Sequence, residues 1–268
     1  MPIAFIRPVS ASIVNCELTH LAREPIDIQA ARWQHEQYAA RLAAHGCSVY
    51  SLPSADDLPD AVFIEDIAVV LDEIAVITQP GAVTRRAEID VVVDALGKFR
   101  QLACITLPGT LDGGDVLKVG QTLYVGLSQR TNAAGIRQLA SILAPFGYSV
   151  QGVPVQGCLH LKSAVTQVAE NALLINRGWL DWQIFKKLQL IDVHPNESNG
   201  ANALLMPDGA VIYPSAFSEN RSSLELLGIR VDAVDVSELA KAEGGVTCCS
   251  LVFKEMFSES QPGKLNQR

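Results

Sequence analysis

One pattern recurs along this chain and limits what it can become: two short apolar strands joined by a tight turn, an amphipathic helix, and a further strand. In the first full copy, residues 63–70 and 74–78 read as strands with Asp72-Glu73 as the turn between them. Residues 84–98 then read as a helix carrying Ile89, Val92, Val93 and Leu96 at helical spacing, and 104–107 as the closing strand. The order returns with strands at 114–119 and 122–126, a helix at 133–146 and a strand at 149–155. A third copy has strands at 164–168 and 172–175, a helical segment at 180–187 and a strand at 190–193. A fourth has 203–206, 210–213, a helix at 218–227 and 230–236. The fifth is split between the ends of the chain: its first strand is 250–253, and residues 4–6, a helix at 28–45 and a strand at 48–52 supply the rest.

Units of about 45 residues belong to repeat architectures, and sealing such a repeat into a ring by pairing its last strand with its first removes exposed sheet edges. The expectation is therefore an α/β fold, a closed ring of five ββαβ repeats around a central site. It forms one catalytic domain over residues 1–253, with a poorly ordered tail at 254–268. The polar residues that precede the first strand of each unit are Asp66, Asp112, His160, Asn202 and Cys248, spaced 42 to 48 residues apart. A ring would gather them at its axis, with the helices outside.

Charge narrows the partner. Across 268 residues the formal net charge is -8 and the pI about 5.1, so no surplus of cations is available to neutralise phosphates. Nucleic acid and anionic membrane are excluded as expected partners, leaving a small molecule. No apolar run reaches the roughly 18 residues of a membrane span, and the first residues lack a signal-peptide pattern. Six cysteines without zinc-site spacing are expected to be reduced, in a cytoplasmic monomer or homodimer.

Taken singly, each axial residue has a plain structural reading. Cysteine in an apolar run is ordinarily core, Asp112-Gly113-Gly114-Asp115 is a glycine-rich turn, and Asn202 satisfies backbone at another turn. Their shared position, one per unit, favours a site, because independent structural residues have no reason to recur in register. A thiol, an imidazole and two carboxylates suit attack on a planar cationic carbon. Asp66 and Asp112 would hold a guanidinium through its fork of N–H donors, Cys248 would attack as thiolate, and His160 would protonate the leaving amine and later activate water. Such chemistry requires no cofactor and no metal.

These residues sit in Leu58-Pro59-Asp60-Ala61-Val62-Phe63-Ile64-Glu65-Asp66, Pro80-Gly81-Ala82-Val83-Thr84-Arg85-Arg86, Leu111-Asp112-Gly113-Gly114-Asp115, Val125-Gly126-Leu127-Ser128-Gln129-Arg130-Thr131-Asn132, Leu159-His160-Leu161-Lys162 and Gly244-Gly245-Val246-Thr247-Cys248-Cys249-Ser250. Together and in this order they resemble the dimethylarginine dimethylaminohydrolase family of the guanidino-modifying superfamily, over nearly the whole chain. The resemblance implies a five-bladed propeller that hydrolyses N-methylated arginine to citrulline and an amine. It implies Cys248 as nucleophile, His160 as acid and base, Asp66 and Asp112 facing the guanidino group, and Glu65 beside it. Arg85 and Arg130 would grip the substrate carboxylate, and Asp60 and the backbone near Leu18 would meet its α-amino group. Residues 12–20 would form a lid, although they match only loosely. Arginine deiminase, amidinotransferase and a non-catalytic arginine binder are the alternatives.

Overall fold

A computed structural model describes residues 1–255 and contains five three-stranded sheets, one for each expected unit. In every sheet the middle strand runs antiparallel to the strand before it and parallel to the strand after it. The sheets are Ala68–Val70, Ile74–Ile77 and Gln101–Cys104; Val116–Val119, Thr122–Leu127 and Ser149–Pro154; Val165–Ala169, Ala172–Ile175 and Gln189–Asp192; and Leu204–Leu205, Val211–Pro214 and Val231–Val234. In the fifth, Leu251–Lys254 lies antiparallel to Pro2–Ile6, which pairs in parallel with Ser48–Ser51. The first strand and the last described strand thus meet in one sheet and close the ring, an α/β propeller of five ββαβ blades.

The middle strands explain the apolar runs in the sequence. Ile74–Ile77, Ala172–Ile175 and Val211–Pro214 are buried at every position, because sheet neighbours flank them and helices or adjacent blades cover both faces. First strands of different blades approach one another around a cavity of about 500 Å³ on the axis, lined in part by Val69, Lys118, Leu205 and Val252. The longest helix, Ile28–Ala44, begins where the Asp27 carboxylate accepts from the Gln29 and Ala30 amides, and it buries Ala31, Gln34, His35, Tyr38 and Leu42. Asn132 caps Ala133–Leu143 in the same way. Among the described residues, no helix is long and apolar enough to cross a membrane.

Departures from the sequence reading concentrate where strands lead into the axis. Residues 63–67 were expected as strand, but Ile64–Ile67 make a 3-10 turn, as do Gly113–Asp115, while Leu161–Ala164 form one helical turn. A tight turn aims consecutive polar side chains at the axis, which a strand with alternating faces cannot do. The helix expected at 84–98 is a 3-10 segment Val83–Glu88 followed by Ile89–Leu96, and the strand expected at 104–107 is Gln101–Cys104. In the third blade, two single turns, Arg177–Trp179 and Trp182–Phe185, replace the expected helix. Lys254 belongs to the closing strand rather than to a tail, and the Glu255 N–H bonds Met1 O. The rest of the expected tail lies outside the described residues.

Tyr38 ties the long helix to the segment bearing Cys248. Its buried hydroxyl donates to Val246 O and lies against Ser250 Oγ, both at 2.7 Å. Tyr38→Phe leaves a buried carbonyl without its donor. Denaturant unfolding is expected to show a loss of about 1 to 3 kcal/mol, and an unchanged midpoint would mean that this bond contributes nothing to closing the ring.

Candidate active site

The five segments that precede the first strands form a circuit of hydrogen bonds. Glu65 N–H donates to Cys248 O at 3.1 Å, Gly114 N–H to Asp66 Oδ1 at 2.9 Å, and Leu161 N–H to Asp115 Oδ1 at 2.9 Å. Asn202 Nδ2 then donates to Lys162 O at 3.0 Å, and Thr247 N–H to Asn202 Oδ1 at 3.1 Å. Each blade is thereby bound to the next, and the last to the first. Two glycines allow this approach: a Cβ on Gly113 would sit 2.0 Å from Glu65 O, and one on Gly114 would sit 2.5 Å from the His160 ring and 2.7 Å from Asp66 Oδ1. The glycine-rich turn and the site are therefore the same feature.

Within the circuit, Cys248, His160, Asp66, Asp60, Arg85 and Arg130 line one cavity together with Glu17 and Glu243. His160 is held between two carboxylates, with Nε2 3.2 Å from Asp112 Oδ2 and Nδ1 3.8 Å from Asp66 Oδ1. Asp112 is fully buried behind the imidazole, and its other oxygen accepts from Gly81 N–H. Its place is against His160 rather than on the cavity wall, so the carboxylate expected to face a guanidino group instead orients the imidazole. Cys248 Sγ accepts from Gly245 N–H at 3.3 Å, while Cys249 is buried in the core.

Electrostatics separate the roles. Burial opposes charge on His160, but Asp66, the Asp112 hydrogen bond and Asp115 outweigh it and raise the imidazole pKa to about 9. Burial would raise Asp66 as well, yet the His160 and Arg85 charges carry it well below the ordinary carboxylate range. The Cys248 thiol is pushed up to about 12 by burial and then by Glu65 and Asp66. At neutral pH the site therefore holds an imidazolium, ionised Asp66 and a neutral thiol.

The remaining expected residues are placed differently from one another. Glu65 lies off this cavity: one oxygen pairs with Lys162 Nζ at 2.5 Å and the other accepts from Thr247 Oγ1 at 2.8 Å, closing the axial cavity on the far side. Arg85 is buried and its guanidinium is bound to Asp66 Oδ2 at 2.5 Å and to both Glu88 oxygens. Arg130 donates to Thr19 Oγ1, and the Asp60 carboxylate accepts from Glu17 N–H, which brings both against residues 17–19. Leu18 packs on the adjoining core. The free volume of this cavity is about 20 Å³, room for a water molecule and far too little for an amino acid; Cys248, Leu159, Glu243 and Gly244 also line a neighbouring cavity of about 420 Å³ bordered by His20 and Leu21.

Lys162, Asp115, Thr247, Glu88 and Glu243 were not singled out by sequence. Asp115 and Lys162 sit beside recognised positions, in Asp112-Gly113-Gly114-Asp115 and His160-Leu161-Lys162, and were legible in principle. Glu243 carries no such signal. Ligand atoms of Asp66, Asp112 and His160 lie within 4.8 Å of one another, a spacing that a cation could bridge. As the group stands, His160 is ion-paired with both carboxylates.

Comparison with known proteins agrees with this geometry. Residues 16–254 match a family model described as N,N dimethylarginine dimethylhydrolase, eukaryotic. The chain is 39% identical over 259 residues to an N(G),N(G)-dimethylarginine dimethylaminohydrolase of Streptomyces coelicolor, covering 95% of this chain and 98% of that one. It is 34% identical over 248 residues to the protein of that name from Pseudomonas aeruginosa, covering 92% and 96%. A solved cysteine-to-serine variant of the Pseudomonas aeruginosa protein, complexed with citrulline, superposes with a TM-score of 0.89 at 33% identity over 93% of this chain and 98% of that one. The N-terminal domain of the cyanobacterial arginine dihydrolase ArgZ shares the fold, with a TM-score of 0.86 at 17% identity over 95% and 99%.

The His160 ion pairs have a definite pH signature. A pKa raised from 6.5 to about 9 contributes stability that is fully present below about pH 6.5 and is lost as pH rises through about 9. Ionised Asp66 contributes above its ordinary pKa and loses that contribution as pH falls below it. The His160 ring resonances are expected to titrate near pH 9 in the free protein, and Asp66→Asn to move the midpoint down. A midpoint at or below 6.5 in the unaltered protein would contradict the assignment.

Proposed function

We propose, from the premise that this chain belongs to the dimethylarginine dimethylaminohydrolase family, that it hydrolyses N-methylated L-arginine to L-citrulline and methylamine or dimethylamine with Cys248 as nucleophile. The observation that carries the reading is the presence of Cys248, His160 and Asp66 in one cavity with the zwitterion-matching groups Asp60 and Arg130.

The free site holds its thiol neutral, first because burial opposes charge on the sulfur and then because Glu65 and Asp66 oppose a further negative charge nearby. A bound guanidinium reverses that balance: its positive charge sits against Asp66 and Cys248, lowers the cost of thiolate, and releases the thiol proton to solvent. The thiolate attacks the central guanidino carbon. As the C–N bond breaks, the His160 imidazolium gives its proton to the departing amine, leaving an S-linked thiouronium on Cys248. Neutral His160 then takes a proton from water, the hydroxide adds to the same carbon, and the C–S bond breaks to regenerate thiolate and citrulline. Asp112 keeps the imidazole oriented throughout, and Glu65, paired with Lys162, contributes negative potential from behind the nucleophile. Binding also requires Arg85 to give up part of its hold on Asp66, so that the carboxylate can turn to the guanidino group and the arginine to the substrate carboxylate.

All six cysteines carry free thiols, which fits a reducing compartment, and the cytoplasm is the proposed location. A monomer or homodimer is the proposed assembly.

Purified protein incubated separately with asymmetric dimethylarginine, monomethylarginine and arginine is expected to yield citrulline with dimethylamine or methylamine from the first two. Cys248→Ser is expected to lose on the order of a thousandfold or more in kcat. Ammonia released from arginine in preference to methylamines would instead identify a deiminase, and no product from any of them would leave an arginine binder.

A further inference from the structure

Glu243 is the most unusual residue on the cavity wall. Its backbone has φ 58°, making it the sole non-glycine residue with positive φ among the described residues, although side chains disfavour that region by roughly 1 to 2 kcal/mol. What the strained turn delivers is a carboxylate set against the lid. Oε1 accepts from three consecutive amides, Thr19 at 3.0 Å, His20 at 2.5 Å and Leu21 at 2.7 Å. Oε2 is shielded from solvent and has no hydrogen-bond partner. An anionic oxygen left this way is costly, and here it belongs to a residue lining the same cavity as Asp60, Arg130 and Cys248.

The lid is held by more than Glu243. Asp60 accepts from Glu17 N–H, and Arg130 donates to Thr19 Oγ1, so two carboxylates and one guanidinium together fix residues 17–21. That set has the charge pattern of a receptor for an α-amino-acid zwitterion. Resting on the proposed function, which makes this end of the cavity the amino-acid end, we infer that Glu243 Oε2 receives the substrate α-ammonium group while Oε1 holds the lid. Glu243 is then a specificity residue that joins recognition of the amino acid to closure over it. An ammonium cation supplies the N–H donor that Oε2 lacks and neutralises a carboxylate whose other oxygen already serves the loop. The guanidino end has its own partners in Asp66 and Cys248, which line the same cavity. Selection would therefore favour free α-amino acids over guanidino compounds that lack the amino group, such as alkylguanidines or desamino acids.

The test is binding of L-citrulline and of its desamino analogue, 5-ureidopentanoic acid, to the unaltered protein and to Glu243→Gln. It is read by calorimetry, with hydrogen exchange of the Thr19, His20 and Leu21 amides followed in parallel. Glutamine keeps an acceptor for the lid amides and removes the charge. The inference expects citrulline to bind about tenfold or more weakly to the variant, with the desamino compound within about twofold. It further expects citrulline, and not the analogue, to slow exchange at the three amides. Equal weakening of both ligands, or no weakening, overturns it and leaves Glu243 a purely structural latch. If the unaltered protein binds neither ligand, the amino-acid reading of the cavity fails and the inference falls with it, an outcome visible before any variant is made. Glu243→Asp, which keeps the charge but withdraws Oε2, is expected to fall between the two, and serves in place of the glutamine variant if that does not fold.

Discussion

Five hydrogen bonds passed from blade to blade around the axis set where every reactive group of this protein stands. Cys248 O, Asp66, Asp115, Lys162 O and Asn202 are the acceptors, and each donor comes from a neighbouring segment. Three of these bonds, Gly114 to Asp66, Leu161 to Asp115 and Thr247 to Asn202, are buried, so breaking any of the three leaves polar groups stranded. The consequence for function is geometric. Cys248 and His160 lie 88 residues apart in the chain (248 − 160 = 88), yet they share a cavity because each sits on a segment locked to its neighbours. Gly113 and Gly114 are required by this closure, since a side chain on either would collide with Glu65 or His160.

The same crowding governs reactivity. Around Cys248, Glu65 is matched by Lys162 and Asp66 by Arg85 and His160, and burial, with Glu65 and Asp66 adding to it, holds the thiol protonated. A nucleophile kept neutral until a cationic carbon arrives is protected from adventitious oxidation and alkylation, because the thiolate is the reactive form. In the proposed mechanism, substrate charge is both the target of attack and the agent that activates the attacker. His160 stands as an imidazolium against Asp112, and in that mechanism it is the donor to the amine leaving group.

Much of this was legible before any coordinates. Five-fold repetition with one polar residue in register predicts the ring, its closure through the split fifth unit and the gathering of Asp66, Asp112, His160, Asn202 and Cys248. What escaped was the local backbone at those positions. Residues 63–67 have strand composition, yet fold as a tight turn because Glu65 and Asp66 must both reach the axis, one meeting Lys162 and the other His160. Periodicity cannot register that demand. Nor could it distinguish a carboxylate facing substrate from one standing behind a histidine, and so it gave Asp112 the former role. Arg85 illustrates the same limit, since helical spacing could suggest its pair with Glu88 but not the carboxylate of Asp66, which comes from another segment. Glu243 was invisible because its meaning lies in a left-handed turn and in amides more than two hundred residues away.

The central claim is that Cys248, and no other thiol in the chain, becomes covalently bound to the guanidino carbon. Acid quenching during turnover of monomethylarginine, followed by peptide mass mapping, tests it most directly. The account predicts an adduct carrying the substrate skeleton, less its amine, on the peptide residue Cys248, with Cys16 and Cys249 unmodified. Turnover with no adduct under any quench, or an adduct on another cysteine, would contradict it.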